Sequence, residues 1–130
     1  YFYISHRKER RGVGGIFFDN LSSLSLDDSL KMLNSIASTY LNSYLDIVSK
    51  RKKIKYSSDE KDFQLIRRGR YAEFNLIYDR GTSFGLQSNG RIESILASLP
   101  TEVKWKYKKN KKYKIMERAL LKNLNRDWNE

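Results

Sequence analysis

Arg7, Arg10 and Arg11 cluster beside the only histidine, His6, and directly precede Gly12-Val13-Gly14-Gly15. Forked guanidinium groups bind carboxylates through paired hydrogen bonds, so this cluster is a candidate anion clamp. The glycines would let backbone N–H groups approach the same anion. The lysine–serine pair of a phosphate loop is missing, as is the third spaced glycine of a dinucleotide fingerprint, which argues against nucleotide binding. A single histidine excludes a multi-histidine metal site or a Ser-His-Asp triad built from this chain alone. On its own, His6 reads as a structural residue near a strand end.

A second candidate is Asp79-Arg80, with Arg91 one turn and a short strand later. An aspartate beside an arginine forms a structural ion pair, or, lining a cavity, accepts a proton from a ligand N–H group. Periodicity does not choose between the two. Lys104-Trp105-Lys106-Tyr107-Lys108 resembles a single-strand nucleic-acid platform at first sight. Its alternation puts the aromatics opposite the lysines, which assigns them to the core and argues against that use.

Several elements must position these groups. Tyr1 to about Ser5 reads as a strand, followed by a charged turn and a second short strand, Ile16-Phe17-Phe18. Ser25 and Asp28 have capping-box spacing, and Leu30, Leu33, Ala37, Tyr40, Leu41, Tyr44 and Val48 then repeat at helical spacing, up to Lys50-Arg51-Lys52-Lys53. A second helix is expected from near Ser58 to Arg68, stopped by Gly69. Tyr71 to Arg80 reads as a strand: Ala72, Phe74, Leu76 and Tyr78 face the core, and Tyr71, Glu73, Asn75, Ile77 and Asp79 face either a polar cavity or solvent. Gly81 to Gln87 would extend that sheet. Arg91 to Leu99 reads as a short helix ended by Pro100, Glu102 to Lys108 as a half-buried antiparallel strand, and Tyr113 to Leu124 as a final helix. The expected class is α+β, an antiparallel sheet flanked by helices.

Bulk properties set the outer bounds. The 130 residues fit one domain, with 39% hydrophobic and 13% aromatic residues, a globular composition. There is no cysteine, so disulfides, thiolate metal sites and cysteine nucleophiles are excluded. The net charge of +11 suits an anionic ligand, nucleic acid, an anionic membrane or plain solubility. No apolar run is long enough to cross a bilayer. The abrupt opening, Tyr1-Phe2-Tyr3-Ile4, suggests part of a longer protein.

Tyr1-Phe2-Tyr3-Ile4-Ser5-His6-Arg7 and Arg11-Gly12-Val13-Gly14-Gly15-Ile16-Phe17-Phe18-Asp19 together resemble the oxygen-dependent coproporphyrinogen-III oxidases. So do Phe63-Gln64-Leu65, Arg67-Arg68-Gly69-Arg70-Tyr71 and Glu73-Phe74-Asn75-Leu76. The resemblance continues through Tyr78-Asp79-Arg80-Gly81-Thr82, Phe84-Gly85-Leu86-Gln87, Gly90-Arg91-Ile92-Glu93-Ser94-Ile95-Leu96, Ser98-Leu99-Pro100 and Arg126-Asp127-Trp128. It covers nearly the whole chain in unbroken order.

That resemblance implies a large antiparallel sheet flanked by helices, of which residues 1–130 would be the C-terminal portion, without the N-terminal half. It implies oxidative decarboxylation of coproporphyrinogen III to protoporphyrinogen IX in haem biosynthesis, with O2 as co-substrate. No organic cofactor is implied, a divalent metal is not implied as a requirement, and nucleic acid is not an implied partner. The subunits would pair as a homodimer, in the cytoplasm if bacterial and in the mitochondrion if eukaryotic, without integral membrane association. By position, Asp79 and Arg80 match the family's functionally sensitive pair. Arg7 and Arg11 match arginines that meet substrate carboxylates, and Asn89, Gly90 and Arg91 match a substrate-binding segment usually written Gly-Gly-Arg. His6 matches a histidine linked to dimer formation and sometimes to metal. Tyr71 to Tyr107 matches the region implicated in dimerisation. The family's proton-donating histidine lies outside this chain, so the chain alone is expected to be inactive or nearly so.

Overall fold

A computed structural model of the chain describes residues 2–18, 21–108 and 111–126. The expectations on Tyr1, Asp19, Asp127 and Trp128 lie outside the described residues. The chain divides into two compact units, residues 15–56 and a unit joining 1–14 to 57–130.

The first of these carries α1, Leu26–Arg51. Ser25 caps it: its hydroxyl oxygen accepts from the Asp28 N–H at 3.1 Å, and Asp27 and Asp28 sit at the positive end of the helix dipole. Lys50 and Arg51 occupy the last turn, with Lys50 2.6 Å from Asp46. This helix is where periodicity placed it. None of its residues is buried; Leu30, Tyr40 and Leu41 are all exposed. Ile16-Phe17-Phe18, expected as a strand, has no regular secondary structure and is exposed.

The other unit is built on α2, Ser58–Ile77. Ser57 and Glu60 form a complete capping box, the Ser57 N–H donating to the Glu60 carboxylate at 2.7 Å and the Glu60 N–H to the Ser57 hydroxyl at 3.2 Å. The backbone bond from Ser57, then its side-chain bond, hold the Glu60 carboxyl below its ordinary range. The helix does not stop at Gly69. It continues to Ile77, through most of the stretch read as a strand from Tyr71 to Arg80, which is the main correction to the expected fold. Its buried residues are Ile66, Gly69, Arg70, Ala72, Glu73, Phe74 and Asn75. Much of that inner face is charged or polar, so its helical period is invisible to a hydrophobicity pattern, and the remaining apolar residues alternate by coincidence.

A pair of two-residue antiparallel strands, β1 (Tyr3–Ile4) and β2 (Glu9–Arg10), packs on α2. Tyr3 is opposite Arg10 and Ile4 opposite Glu9. The partner of the opening strand therefore comes from the segment read as a charged turn, not from Ile16-Phe17-Phe18. Ser5–Arg7 make a 3-10 turn between the strands, and Lys8 reverses the chain at φ 53°. Ile4 and Phe74 are fully buried, and Phe2 meets Phe74 edge-on at 5.8 Å. Gly14 lies so close to the Phe2 ring that a Cβ there would stand 2.7 Å from it.

Two short helices follow, α3 (Arg80–Gln87) and α4 (Ile92–Ile95), packed on each other. Gly81 to Gln87 is thus helical where a sheet extension was expected. Glu102 to Lys108, expected as a half-buried strand, has no regular secondary structure. It is held to α2 by its backbone, the Lys104 N–H donating to the Leu65 carbonyl at 3.0 Å. Trp105 (42% exposed) and Tyr107 (84% exposed) are not core residues, because among the described residues this segment joins no sheet and its alternation sets no inner face. A last helix, α5, spans Lys114–Leu124, close to the expected limits. The large sheet implied by the resemblance is not seen: among the described residues the sheet has two strands and the unit is mostly helical.

Candidate functional site

The densest polar cluster lies where the 3-10 turn and β2 meet α2. Glu73, 6% exposed, points from α2 at the turn. It accepts from the Arg7 Nε–H at 2.7 and 2.9 Å through its two oxygens, and from His6 Nε2. The His6 Nδ1 is 2.8 Å from the Tyr78 hydroxyl, and the two rings are stacked at 5.8 Å. Burial pushes the Glu73 carboxyl up, but the hydrogen bonds from Arg7 and His6 and the charges of Arg7 and Arg70 together outweigh it, and the carboxyl sits below its ordinary range.

A second buried carboxylate, Glu9 on β2, accepts from the Arg70 Nε–H at 2.6 Å and lies 3.5 Å from Arg67 Nη1. Arg67 also donates to the carbonyls of Arg10 and Arg11, at 2.7 and 3.2 Å. Burial pulls the Arg67 guanidinium below its ordinary range, the Glu9 charge opposing that. Two carboxylates thus share several guanidinium groups in a place poorly reached by water. Losing one member of such a set costs about 3 kcal/mol, because the partner is left buried and unpaired.

Part of this cluster, without Arg67, lines a concavity of about 570 Å3. His6, Arg7, Arg70 and Glu73 give it a polar side, and Leu76, Ile77, Trp105 and Tyr107 an apolar one. Its size and mixed lining are those of a small-molecule pocket. The Lys106 carbonyl, accepting from Arg70 Nη2 at 2.8 Å and Arg7 Nη1 at 3.3 Å, fastens the Trp105–Tyr107 segment to the rim.

The residues singled out in the sequence fall into separate places. His6 and Arg7 are in the pocket wall. Arg11 is outside that wall: its Nη1 donates to Asn75 Oδ1 at 2.8 Å, and its guanidinium lies 4.1, 4.6 and 4.9 Å from the Phe2, Tyr71 and Phe74 ring centres. Asp79 is the N-cap of α3, accepting from both the N–H and the hydroxyl of Thr82 at 2.8 Å, and Arg80 begins that helix. Asn89 takes φ 55°, the left-handed conformation an asparagine tolerates, and the Gly90 N–H donates to the Gly85 carbonyl at 3.0 Å to close α3. Arg91, exposed, precedes α4 and lies 4.0 Å from Glu93. Asp79, Arg80, Asn89, Gly90 and Arg91 do not line the concavity that holds Arg7.

The sequence pattern gives Glu73, Glu9, Arg70 and Tyr78 no place in the site and sets Trp105 and Tyr107 in the core. It puts Glu73 on a polar face with Asn75. The available signal was the i, i+3 spacing of Arg70 and Glu73, which is a helix spacing. Among the described residues no group of three histidine, cysteine, aspartate or glutamate side chains converges, and the His6 ring nitrogens face Glu73 and Tyr78.

The sequence family described as coproporphyrinogen III oxidase matches residues 1–129. The chain belongs to this family. An oxygen-dependent coproporphyrinogen-III oxidase of Francisella philomiragia is 60% identical over 107 residues, 82% of this chain. The enzyme of the same name from Francisella tularensis subsp. holarctica is 58% identical over the same length. The aligned part is 35% of each of these relatives, so the chain spans about a third of the curated coproporphyrinogen-III oxidases it matches. No helix among the described residues is long and apolar enough to cross a membrane.

Proposed function

We propose that this chain is the C-terminal portion of an oxygen-dependent coproporphyrinogen-III oxidase, converting two propionates of coproporphyrinogen III to vinyl groups with consumption of O2 and release of CO2. The observation that carries the proposal is 60% identity to an enzyme of that name, within a family match over residues 1–129. The pocket supports it in kind: an apolar wall of Leu76, Ile77 and Trp105 suits a macrocycle, and Arg7 suits a propionate.

In this proposal Arg7, Arg11 and Arg91 meet substrate carboxylates, with Asn89 and Gly90 shaping the turn that offers Arg91. Asp79 accepts a pyrrole N–H proton and Arg80 lies beside it, O2 being the oxidant. Asp79 and Arg91 act from the α3–α4 side, on a part of the substrate distinct from that held by Arg7. His6 serves a subunit contact in a homodimer. The compartment is the cytoplasm for a bacterial source, and the mitochondrion for a eukaryotic one.

Two assays on the isolated chain test this. Aerobic incubation with coproporphyrinogen III, followed by protoporphyrin fluorescence after oxidation, is expected to give no turnover, because the complement of residues is incomplete. Titration with coproporphyrin III is expected to show saturable binding. Binding of oligonucleotide alone, collapsing as salt rises, would favour a basic nucleic-acid module and overturn the proposal.

A further inference from the structure

The arginine and histidine that face the pocket share one feature that the proposed chemistry does not use: both are held by the same buried carboxylate. Glu73 belongs to the longest helix of its unit, next in sequence to the fully buried Phe74, so its backbone is fixed by the core. Its Oε1 receives both His6 Nε2 and Arg7 Nε, its Oε2 receives Arg7 Nε again, and Arg70 Nη1 stands 3.9 Å from Oε2. A second group of the same helix end, the Tyr78 hydroxyl, meets the opposite nitrogen of the same ring.

We propose that Glu73 is the positioning residue of this pocket, fixing the tautomer of His6 and the direction in which Arg7 presents its guanidinium to a carboxylate ligand. A carboxylate only accepts, so the proton of the neutral ring must be on Nε2. Nδ1 is then the acceptor, and the Tyr78 hydroxyl donates to it. The hydrogen bonds run one way, from Tyr78 through His6 to Glu73, and both ring nitrogens are occupied. His6 is therefore a strut rather than a free base. Arg7 is held at Nε by Glu73 and at Nη1 by the Lys106 carbonyl, which fixes the plane of its fork. The inference deepens the proposed function and its chemical meaning rests on that reading.

Positioning and simple charge make opposite predictions here. Glu73→Gln removes a negative charge beside Arg7, which on charge alone should tighten binding of a tetracarboxylate. If Glu73 acts by orienting Arg7, the same change weakens binding of coproporphyrin III by about tenfold, the equivalent of one charge-assisted hydrogen bond. Equal or tighter binding by Glu73→Gln overturns the inference.

A second measurement does not depend on any ligand. His6 is the only histidine, so a long-range 1H–15N spectrum of the labelled chain, recorded where the ring is neutral, reports its tautomer without assignment work. The expected spectrum is that of a single Nε2–H tautomer in the wild type and of a mixture in Glu73→Gln. A tautomer mixture in the wild-type chain overturns the inference even if Glu73→Gln fails to fold. Should the wild-type chain bind no coproporphyrin III while showing the single tautomer, the positioning role stands and the pocket's assignment to that substrate fails.

Discussion

Asp79 holds two positions at once, one seen and one proposed. Its carboxylate caps α3 through Thr82, and the proposed chemistry asks it to take a pyrrole proton. Asparagine caps a helix as well as aspartate does but takes up no proton at neutral pH. Asp79→Asn should therefore leave thermal stability within about 0.5 kcal/mol, while in an active assembly turnover drops by at least about a hundredfold. Circular dichroism melts and the porphyrin assay separate the two roles, and full turnover by Asp79→Asn would leave only the cap. Another residue-scale prediction concerns Asp62, whose carboxylate takes bonds from Lys104 and Tyr113. Those bonds, Lys104's first, hold Asp62 below its ordinary value of 3.8, and the bond to Asp62 pushes Tyr113 up to about 12 from 10.0. Between pH 10 and about 12 the unfolded chain releases a tyrosine proton that the folded chain keeps, so stability falls across that window. Below pH 3.8 the Asp62 contribution is lost in turn. Ultraviolet titration should show one tyrosine ionising near 12, returning toward 10 in Asp62→Asn.

Among the elements, α2 shows both what sequence reading can find and what it misses. Its start was legible because Ser57, Asp59 and Glu60 are a capping signal written in local chemistry. Its second half was not, since Arg70, Glu73 and Asn75 are buried by partners distant in sequence, namely Glu9, Arg7 and Arg11. No window along the chain contains those partners. Gly69 misled for a related reason. A glycine inside a helix normally costs about 1 kcal/mol against alanine, and Gly69 is kept because a Cβ there would collide with the Lys104 carbonyl. Gly69→Ala should therefore destabilise the chain, against the usual sign, and urea denaturation reads this directly. A stabilised variant would mean that the 102–108 segment does not lie where it is described. By contrast α1 is legible from its Ser25 cap and its period, both local in sequence, whereas its lack of buried residues cannot be read from its apolar stripe.

At the scale of the molecule, the candidate site belongs to the unit of residues 1–14 and 57–130, and α1 to the other. Long helices without buried faces owe little to tertiary packing. In the isolated chain the amides of α1 should exchange with solvent faster than those of α2 around Phe74, and equal protection would show that α1 is covered. The family was legible because its sequence words persist through the whole chain, whereas the large sheet it implied is not present among the described residues. Coverage of 35% of the relatives makes the whole enzyme's activity a property to be tested in a longer chain. The most direct measurement is a chimera, the Francisella philomiragia relative with its aligned 107 residues replaced by those of this chain. The expected result is aerobic conversion of coproporphyrinogen III to protoporphyrinogen IX; a folded chimera that produces none contradicts the account.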